Sequence, residues 1–443
     1  MASPVQLRTA DGFRGIWYSN TRDPRYVWKY SGGLATYPQQ LHPIAVYAEA
    51  VGRTFFVYGG RAKRKNELLH MISYYDHATG LVARPRILLN KHTDDAHDNP
   101  TLAIDPDGYL WIFSNAHGQM RPAHIHRSAE PYAIGAFEHV LTRNVSYAQP
   151  WHLPGRGFVV PCTIYDRGRR RLHVWTSPDG RTWSEPRLLA RAGNGHYQVS
   201  APCGDRIGTA FNYHLRGKGP DWRTNLYYME TPDGGRTWRN AAGRAVALPI
   251  TTADNDAMAV AYRLKDRFVY LKDIRYTPSG RPVILYLASG GWACGPENGP
   301  RTLTTARWTG RAWDVRPAFE VENNYDFASL YIESDTQWRL IGTTEPGPQR
   351  WNTGGEVAIW LSTDQGDAWT RVKQLTANSR YNHAYPRRPL NAHPDFYALW
   401  ADGHARRKSP SCLYFTDRDG DRVRRLPPTI TGDADLVEPE PLA

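Results

Sequence analysis

Short apolar runs such as TLAID at 101–105 and YLWIFS at 109–114 recur along this chain, broken by clusters of Gly, Pro and Asp. Runs of this length bounded by turn formers predict β-strands joined by tight turns. The pattern continues to about residue 426, and no Pro/Ser-rich linker divides it. One domain over 1–443 is therefore expected, with its core at about 11–426 and a short acidic tail, GDADLVEPEPLA.

Three stretches repeat: TSPDGRTW at 176–183, TPDGGRTW at 231–238 and STDQGDAW at 362–369. Each follows an apolar or aromatic run and is similar to the Asp-box of sialidase-type propellers, a hairpin turn closed by Asp and Gly and anchored by Trp. DPDGYLW at 105–111 and TDRDGDRV at 416–423 are degraded versions. The first two boxes lie about 50 residues apart, a spacing that fits one propeller blade. The expected fold is all-β, a single seven-bladed β-propeller, with the boxes structural and not catalytic.

Composition narrows the partners. The 443 residues include 16 Trp, 26 Tyr, 38 Gly and 33 Pro and carry a formal net charge of +12. Such a charge favours polyanions. The basic residues are scattered, with no basic tail or recognition helix, so nucleic acid is not expected; an acidic polysaccharide satisfies the same electrostatics, and its sugar faces suit aromatic rings. No apolar run approaches the roughly 18 residues of a membrane span. The opening MASPVQLRTADGFRG lacks the apolar core of a secretory leader, which decides little; a secreted or periplasmic monomer is expected. Cys162, Cys203, Cys294 and Cys412 follow no metal-site spacing and are read as thiols, a weaker alternative being a metal on Cys203 with His196 or His214.

The stretch DAHDNPTLAIDPDGYLWIFSNAHG, 95–118, holds two histidines on either side of a predicted hairpin. Pro106, Asp107 and Gly108 supply the turn, so 97 faces 116 or 117 at the far end. Cross-strand partners lie about 5 Å apart at Cβ, which lets His97 and His117 share one substrate. Asp95, Asp98, Asn99 and Asn115 crowd the same end. Comparable polar sets stand at other strand ends: Tyr165 beside Arg169, Arg170 and Arg171; His196 with Tyr197; Tyr213 with His214, Arg223 and Asn225; and His383, Arg387, Arg388 and His393.

Two reactions cleave an acidic glycan. Hydrolysis normally needs two carboxylates at a set separation. β-Elimination beside a uronate needs a cation on the carboxylate, a base for the C5 proton and an acid for the leaving oxygen. A His/Tyr/Arg inventory suits elimination better.

DGFRGIWY, YSGGLATYPQQLHPIAVY, RTFFVYGG, MISYYDHATG, DAHDNP, GYLWIFSNAHG, GHYQVS, FNYH, TEPGPQ and NAHPDFYALWADG together resemble the BNR-repeat seven-bladed propeller polysaccharide lyases over roughly residues 11–420. These include ulvan lyases and rhamnosyl-glucuronate lyases, with a related group of α-L-rhamnosidases. The resemblance implies a lyase cutting at O4 of a uronate, with His97, His117, Tyr213 and Arg223 catalytic. Tyr165, Arg169, His196, Arg14 and His42 are the substrate-binding candidates. No cofactor is implied for catalysis; some relatives hold a structural calcium or zinc, and no ligands carry over. The alternatives are an α-L-rhamnosidase using His42, a sialidase-like hydrolase using Arg14, or a non-catalytic propeller that binds acidic glycan.

Overall fold

The apolar runs form strands that hydrogen-bond in chain order. In this computed structural model, residues 3–262 and 267–442 are described; the ends of the expected 1–443 domain, residues 1, 2 and 443, lie outside them. Six sheets are antiparallel meanders of four or five strands, beginning at Pro100–Ile104, Trp151–Leu153, Gln198–Cys203, Phe268–Tyr276, Ala328–Ile332 and Asn382–Arg387. One further sheet has seven strands and is a composite: Ala45–Ala48, Arg53–Arg61, Leu68–Asp76 and Arg86–Asn90 are joined by Arg8–Thr9, Leu81–Ala83 and Leu436–Val437. A two-stranded ribbon, Trp17–Asp23 with Val27–Gly33, stands apart.

The fold is an all-β propeller, and among the described residues it has six blades, not the seven that the repeat spacing predicts. The composite sheet departs because it is assembled from both chain ends as well as from one stretch of sequence. The acidic tail is likewise built in. Leu436–Val437 pairs with Leu81–Ala83, and Glu440–Pro441 pairs with Val423–Arg425, so strand pairing runs past residue 426.

The sheets stack face to face. Ala103, Trp111 and Phe113 pack on Phe158, Val160 and Trp175 of the next blade. Leu172 and Val174 meet Ile207 and Tyr227, and Val199 and Tyr228 meet Ile274 and Ile284. Leu285 meets Leu330, Ile341 and Ile359 meet Trp400, and Leu399 and Phe415 return to Phe55 and Phe56 of the composite sheet. Inner strands are buried on both faces, which is why PVILYLA reads as a continuous apolar run.

The boxes close outer turns as expected. Asp179 Oδ1 accepts the Arg181 and Thr182 N–H groups at 2.8 and 2.6 Å, and Trp183 Nε1 donates to Gly180 O at 2.7 Å. Gly180 has φ +73°, and a Cβ there would sit 2.4 Å from the Trp111 ring, so no other residue fits. Asp233 and Asp364 accept the Thr237 and Ala368 N–H groups in the same way, at 2.8 and 2.9 Å.

Candidate active site

The hairpin puts the two histidines together. Pro100 pairs with Ser114 and Thr101 with Phe113, a register that sets 97 opposite 117 just beyond the strand ends. Residues Ala96–Asp98 form one 3-10 turn, capped by Asp95, whose Oδ1 accepts the His97 backbone N–H at 3.1 Å. The two imidazoles stack with centroids 4.0 Å apart and planes 18° from parallel.

Asp95 holds both rings. Its Oδ1 lies 2.5 Å from His97 Nδ1 and its Oδ2 lies 2.7 Å from His117 Nδ1. A carboxylate only accepts, so each Nδ1 carries the hydrogen and each Nε2 keeps its lone pair. Arg121 completes the clamp, donating to Asp95 Oδ2 at 2.9 Å and to both oxygens of Asp98 at 2.8 and 3.0 Å. Burial alone would raise the Asp95 carboxyl, but the two imidazoles hold it well below the usual carboxylate range.

The two Nε2 atoms differ. His97 Nε2 accepts from the Tyr37 hydroxyl at 2.7 Å, with the Tyr30 hydroxyl 3.3 Å away. Burial pushes this imidazole down to about 4, His117 adding to the effect and Asp95 opposing it. His117 has one fifth of its side chain exposed, 20% against 5% for His97, and its Nε2 is the accessible lone pair.

The remaining polar residues of the stretch are structural. Asn99 Nδ2 donates to Leu34, Ala35 and Tyr37 carbonyls at 2.7 to 3.2 Å, fixing the loop that carries Tyr37. Asn115 bridges Asn99 O and the Ala148 N–H at 3.0 and 2.7 Å. Buried Lys91 donates to the Asn115 and Pro122 carbonyls at 2.8 and 2.6 Å, 3.5 Å from Asp98.

Neighbouring blades contribute Tyr147, Tyr165, Arg170, Tyr197, His214 and Arg223. The His117 ring lies 6.0 Å from Tyr165 and 6.2 Å from Tyr147. The Arg170 guanidinium sits 5.2 and 5.1 Å from the Tyr165 and Tyr197 rings. Arg223 lies 4.1 Å over Tyr270 and 4.8 Å from Tyr197, donating to the Tyr325 hydroxyl at 3.2 Å. Asp221 holds Lys29 and lies 3.8 Å from Arg223. Tyr165 is pushed up to about 12 by burial, against the pull of Arg170, so it stays a proton donor. Among the described residues, Tyr147 Oη, Tyr165 Oη, Arg170 Nε, Arg223 Nε and both ring nitrogens of His214 are buried without a hydrogen bond of normal geometry, although Tyr165 interacts with Tyr147 and Arg170. These atoms keep hydrogen-bonding capacity free for a polar ligand.

Several expected site residues lie elsewhere. Tyr213 faces away from His214, packing with the Leu172–Phe211 cluster, and His196 is buried beneath it with Nδ1 2.8 Å from Asn212 O. Arg169 is exposed at the hairpin tip opposite Asp166, while Arg170, opposite Tyr165, is the inward arginine. In each case the neighbouring residue takes the place, because successive side chains along a strand point to opposite faces. His42 is buried 3.4 Å from Arg387 and 5.4 Å from the Trp151 ring, in the interior and not at the pair. Arg14 donates to Pro428 O at 3.1 Å and pairs with Asp11 near the chain ends. Cys203 contacts Arg206 at 3.5 Å, at the far end of Gln198–Cys203 from His196, so the Cys203–histidine metal set does not assemble.

Tyr30 and Tyr37, from the N-terminal ribbon and the loop after it, were not expected. Their sequence signal is only an aromatic-rich stretch, and nothing local announces that it folds over the 95–117 hairpin.

The molecule is similar in fold to a solved ulvan lyase of polysaccharide lyase family PL25, with a TM-score of 0.73 at 18% identity, covering 93% of this chain and 96% of that one. The same fold was solved bound to a GlcA(1-4)Rha3S repeat, also at TM-score 0.73 and 18% identity, covering 94% and 96%. In sequence, the chain is 24% identical over 430 residues to an ulvan lyase of Nonlabens ulvanivorans, covering 82% of each. It is 22% identical over 376 residues to one of Alteromonas sp. strain LOR, covering 75% and 74%. The model of the BNR repeat-containing family matches residues 70–321, more than half the chain, and this protein belongs to that family.

Proposed function

We propose that this chain is a polysaccharide lyase that cleaves a glycosidic bond at O4 of a uronic acid by β-elimination. One observation carries the reading: Asp95 fixes both histidines by Nδ1, leaving His117 Nε2 accessible beside the Tyr165 hydroxyl, over whose ring the Arg170 guanidinium lies.

In this scheme Arg170 and Arg223 bind the uronate carboxylate, withdrawing charge and acidifying the C5–H. His117 Nε2 takes that proton. The electron pair forms the C4=C5 double bond as the C4–O4 bond breaks, and the departing oxygen takes a proton from Tyr165. Asp95 stabilises the imidazolium that forms on His117. His97, hydrogen-bonded to Tyr37, is the neutral stacking partner that positions the base.

The substrate we assign is a rhamnose–glucuronate or rhamnose–iduronate glycan of the ulvan type, met outside the cytoplasm by a secreted or periplasmic enzyme. The sequence relatives named for ulvan, the net charge of +12 and the inward arginines support it. The test is digestion of ulvan followed by ultraviolet absorbance of the unsaturated uronate. Wild type is expected to give that product, and His117→Ala to lower turnover by at least about 10²-fold without a change in unfolding temperature. Release of free rhamnose with no new absorbance would overturn the lyase in favour of a rhamnosidase.

A further inference from the structure

A second histidine cluster lies where the ring closes, remote from the pair described above. His77 follows strand Leu68–Asp76, whereas His393 and Asp395 come from the loop between Asn382–Arg387 and Ala398–Gly403. The two segments meet along a parallel seam in which Leu390 N donates to Ala45 O at 2.8 Å and Tyr47 N to Leu390 O at 2.9 Å. The His97 loop adjoins the Leu68 end of the strand, where Leu68 N donates to Thr93 O at 2.6 Å. The nine-residue strand therefore separates the two clusters by roughly 25 Å at about 3.3 Å per residue.

We propose that His77, His393 and Asp395 bind one Zn2+ ion that clips the last blade to the composite sheet. Their ligand atoms all lie within 4.8 Å of one another. Asp395 Oδ2 is 3.6 Å from His393 Nδ1 and 4.0 Å from His77 Nδ1, and the two rings are 3.9 Å apart; His393 Nδ1 accepts the Asp395 N–H at 3.2 Å, a bond the ion would replace unless His393 turns its Nε2 to it. Zn–N and Zn–O bonds of about 2.0–2.1 Å in a tetrahedron set ligand atoms about 3.4 Å apart, so the two Asp395 pairs would close by about 0.2 and about 0.6 Å.

The surroundings are arranged as a metal's outer shell. His77 Nδ1 is buried without a hydrogen-bond partner among the described residues and points at the cluster, while its Nε2 lies 2.8 Å from Thr54 Oγ1. With Nε2–H donated to Thr54, Nδ1 presents a lone pair, the tautomer a ligand needs. Asp395 Oδ1 accepts from Arg422 at 2.5 Å, which leaves Oδ2 for the ion. A cleft of about 230 Å³ lined by Tyr75, Asp395 and Arg422 provides the entry path, and the fourth position stays with water. Two imidazoles and one carboxylate suit zinc; calcium takes six to eight oxygens, which this cluster does not offer.

The site stands independently of the lyase chemistry. The experiment is Zn2+ titration of chelator-treated protein by calorimetry, with metal content measured by mass spectrometry. Wild type is expected to bind one Zn2+ per chain and to gain unfolding temperature. His77→Ala and His393→Ala should each weaken binding by well over tenfold, and Thr54→Val by about 10- to 100-fold. The His97→Ala, His117→Ala double variant should bind as wild type does. Should the buried His77→Ala variant not fold, His393→Ala and Asp395→Asn, at partly exposed side chains, carry the test, with Co2+ absorption reporting tetrahedral nitrogen and oxygen ligation. No binding by wild type at micromolar zinc would overturn the proposal, as would undiminished binding in His393→Ala and Asp395→Asn. Loss of binding only in the His97, His117 variant would overturn it too.

Discussion

Asp95→Asn removes one charge and leaves the shape, and the hydrogen bonds say which histidine it disables. Oδ1 accepts the His97 backbone N–H at 3.1 Å and His97 Nδ1 at 2.5 Å; Oδ2 accepts His117 Nδ1 at 2.7 Å and Arg121 at 2.9 Å. An amide NH2 in the first position would oppose a backbone donor that has no other acceptor. In the second it opposes Arg121, which still has both oxygens of Asp98 at 2.8 and 3.0 Å. The amide nitrogen therefore takes the Oδ2 place and donates to His117 Nδ1. That forces the hydrogen of His117 onto Nε2, the atom assigned to take the C5 proton. Loss of a general base costs about 10²–10⁴-fold in kcat. KM should move little, because neither Arg170 nor Arg223 touches Asp95. The assay is initial-rate absorbance of the unsaturated product, with 15N NMR of the imidazoles to read the tautomer. A kcat within about threefold of wild type, in a variant whose His117 carries its hydrogen on Nε2, would refute the assignment of His117 as base.

The one-residue alternation supplies a paired prediction. Arg170→Ala should lower kcat/KM by about 10²-fold or more, whereas Arg169→Ala and Tyr213→Phe should stay within about twofold of wild type in the same assay. Stability should fall in acid. His97 and His196 are pushed down to about 4 by burial, below the about 6.5 of an unfolded imidazole, so the unfolded chain binds more protons between those values. Stability is full above about pH 6.5 and is lost as pH falls toward 4, on the order of 3 kcal/mol for one fully buried imidazole. Thermal unfolding across that window reads it, and a flat profile would refute it.

The 95–117 hairpin was legible because its information is local. A Pro-Asp-Gly turn and two apolar runs set the register, and the register sets which residues face each other. The boxes around Asp179, Asp233 and Asp364 are equally local, each a turn closed by its own Asp, Gly and Trp. Arg169 against Arg170, His196 against Tyr197 and Tyr213 against His214 turn on a single residue of strand phase. Sequence pattern carries strand phase poorly where both faces of a strand are buried, because apolar and polar residues then alternate weakly.

The sequence by itself thus determined the strands, the all-β propeller and the meeting of His97 with His117, since each follows from contacts between residues near in the chain. Only the tertiary structure decided the rest. It alone settled that the composite sheet draws on both chain ends and that Tyr30 and Tyr37 fold over the pair. It also decided that Arg170, Tyr197 and Arg223 face it from other blades and that His77 meets His393 across the seam. Those contacts join segments far apart in sequence through the stacking of apolar sheet faces, and such packing selects partners by shape and burial rather than by any local pattern.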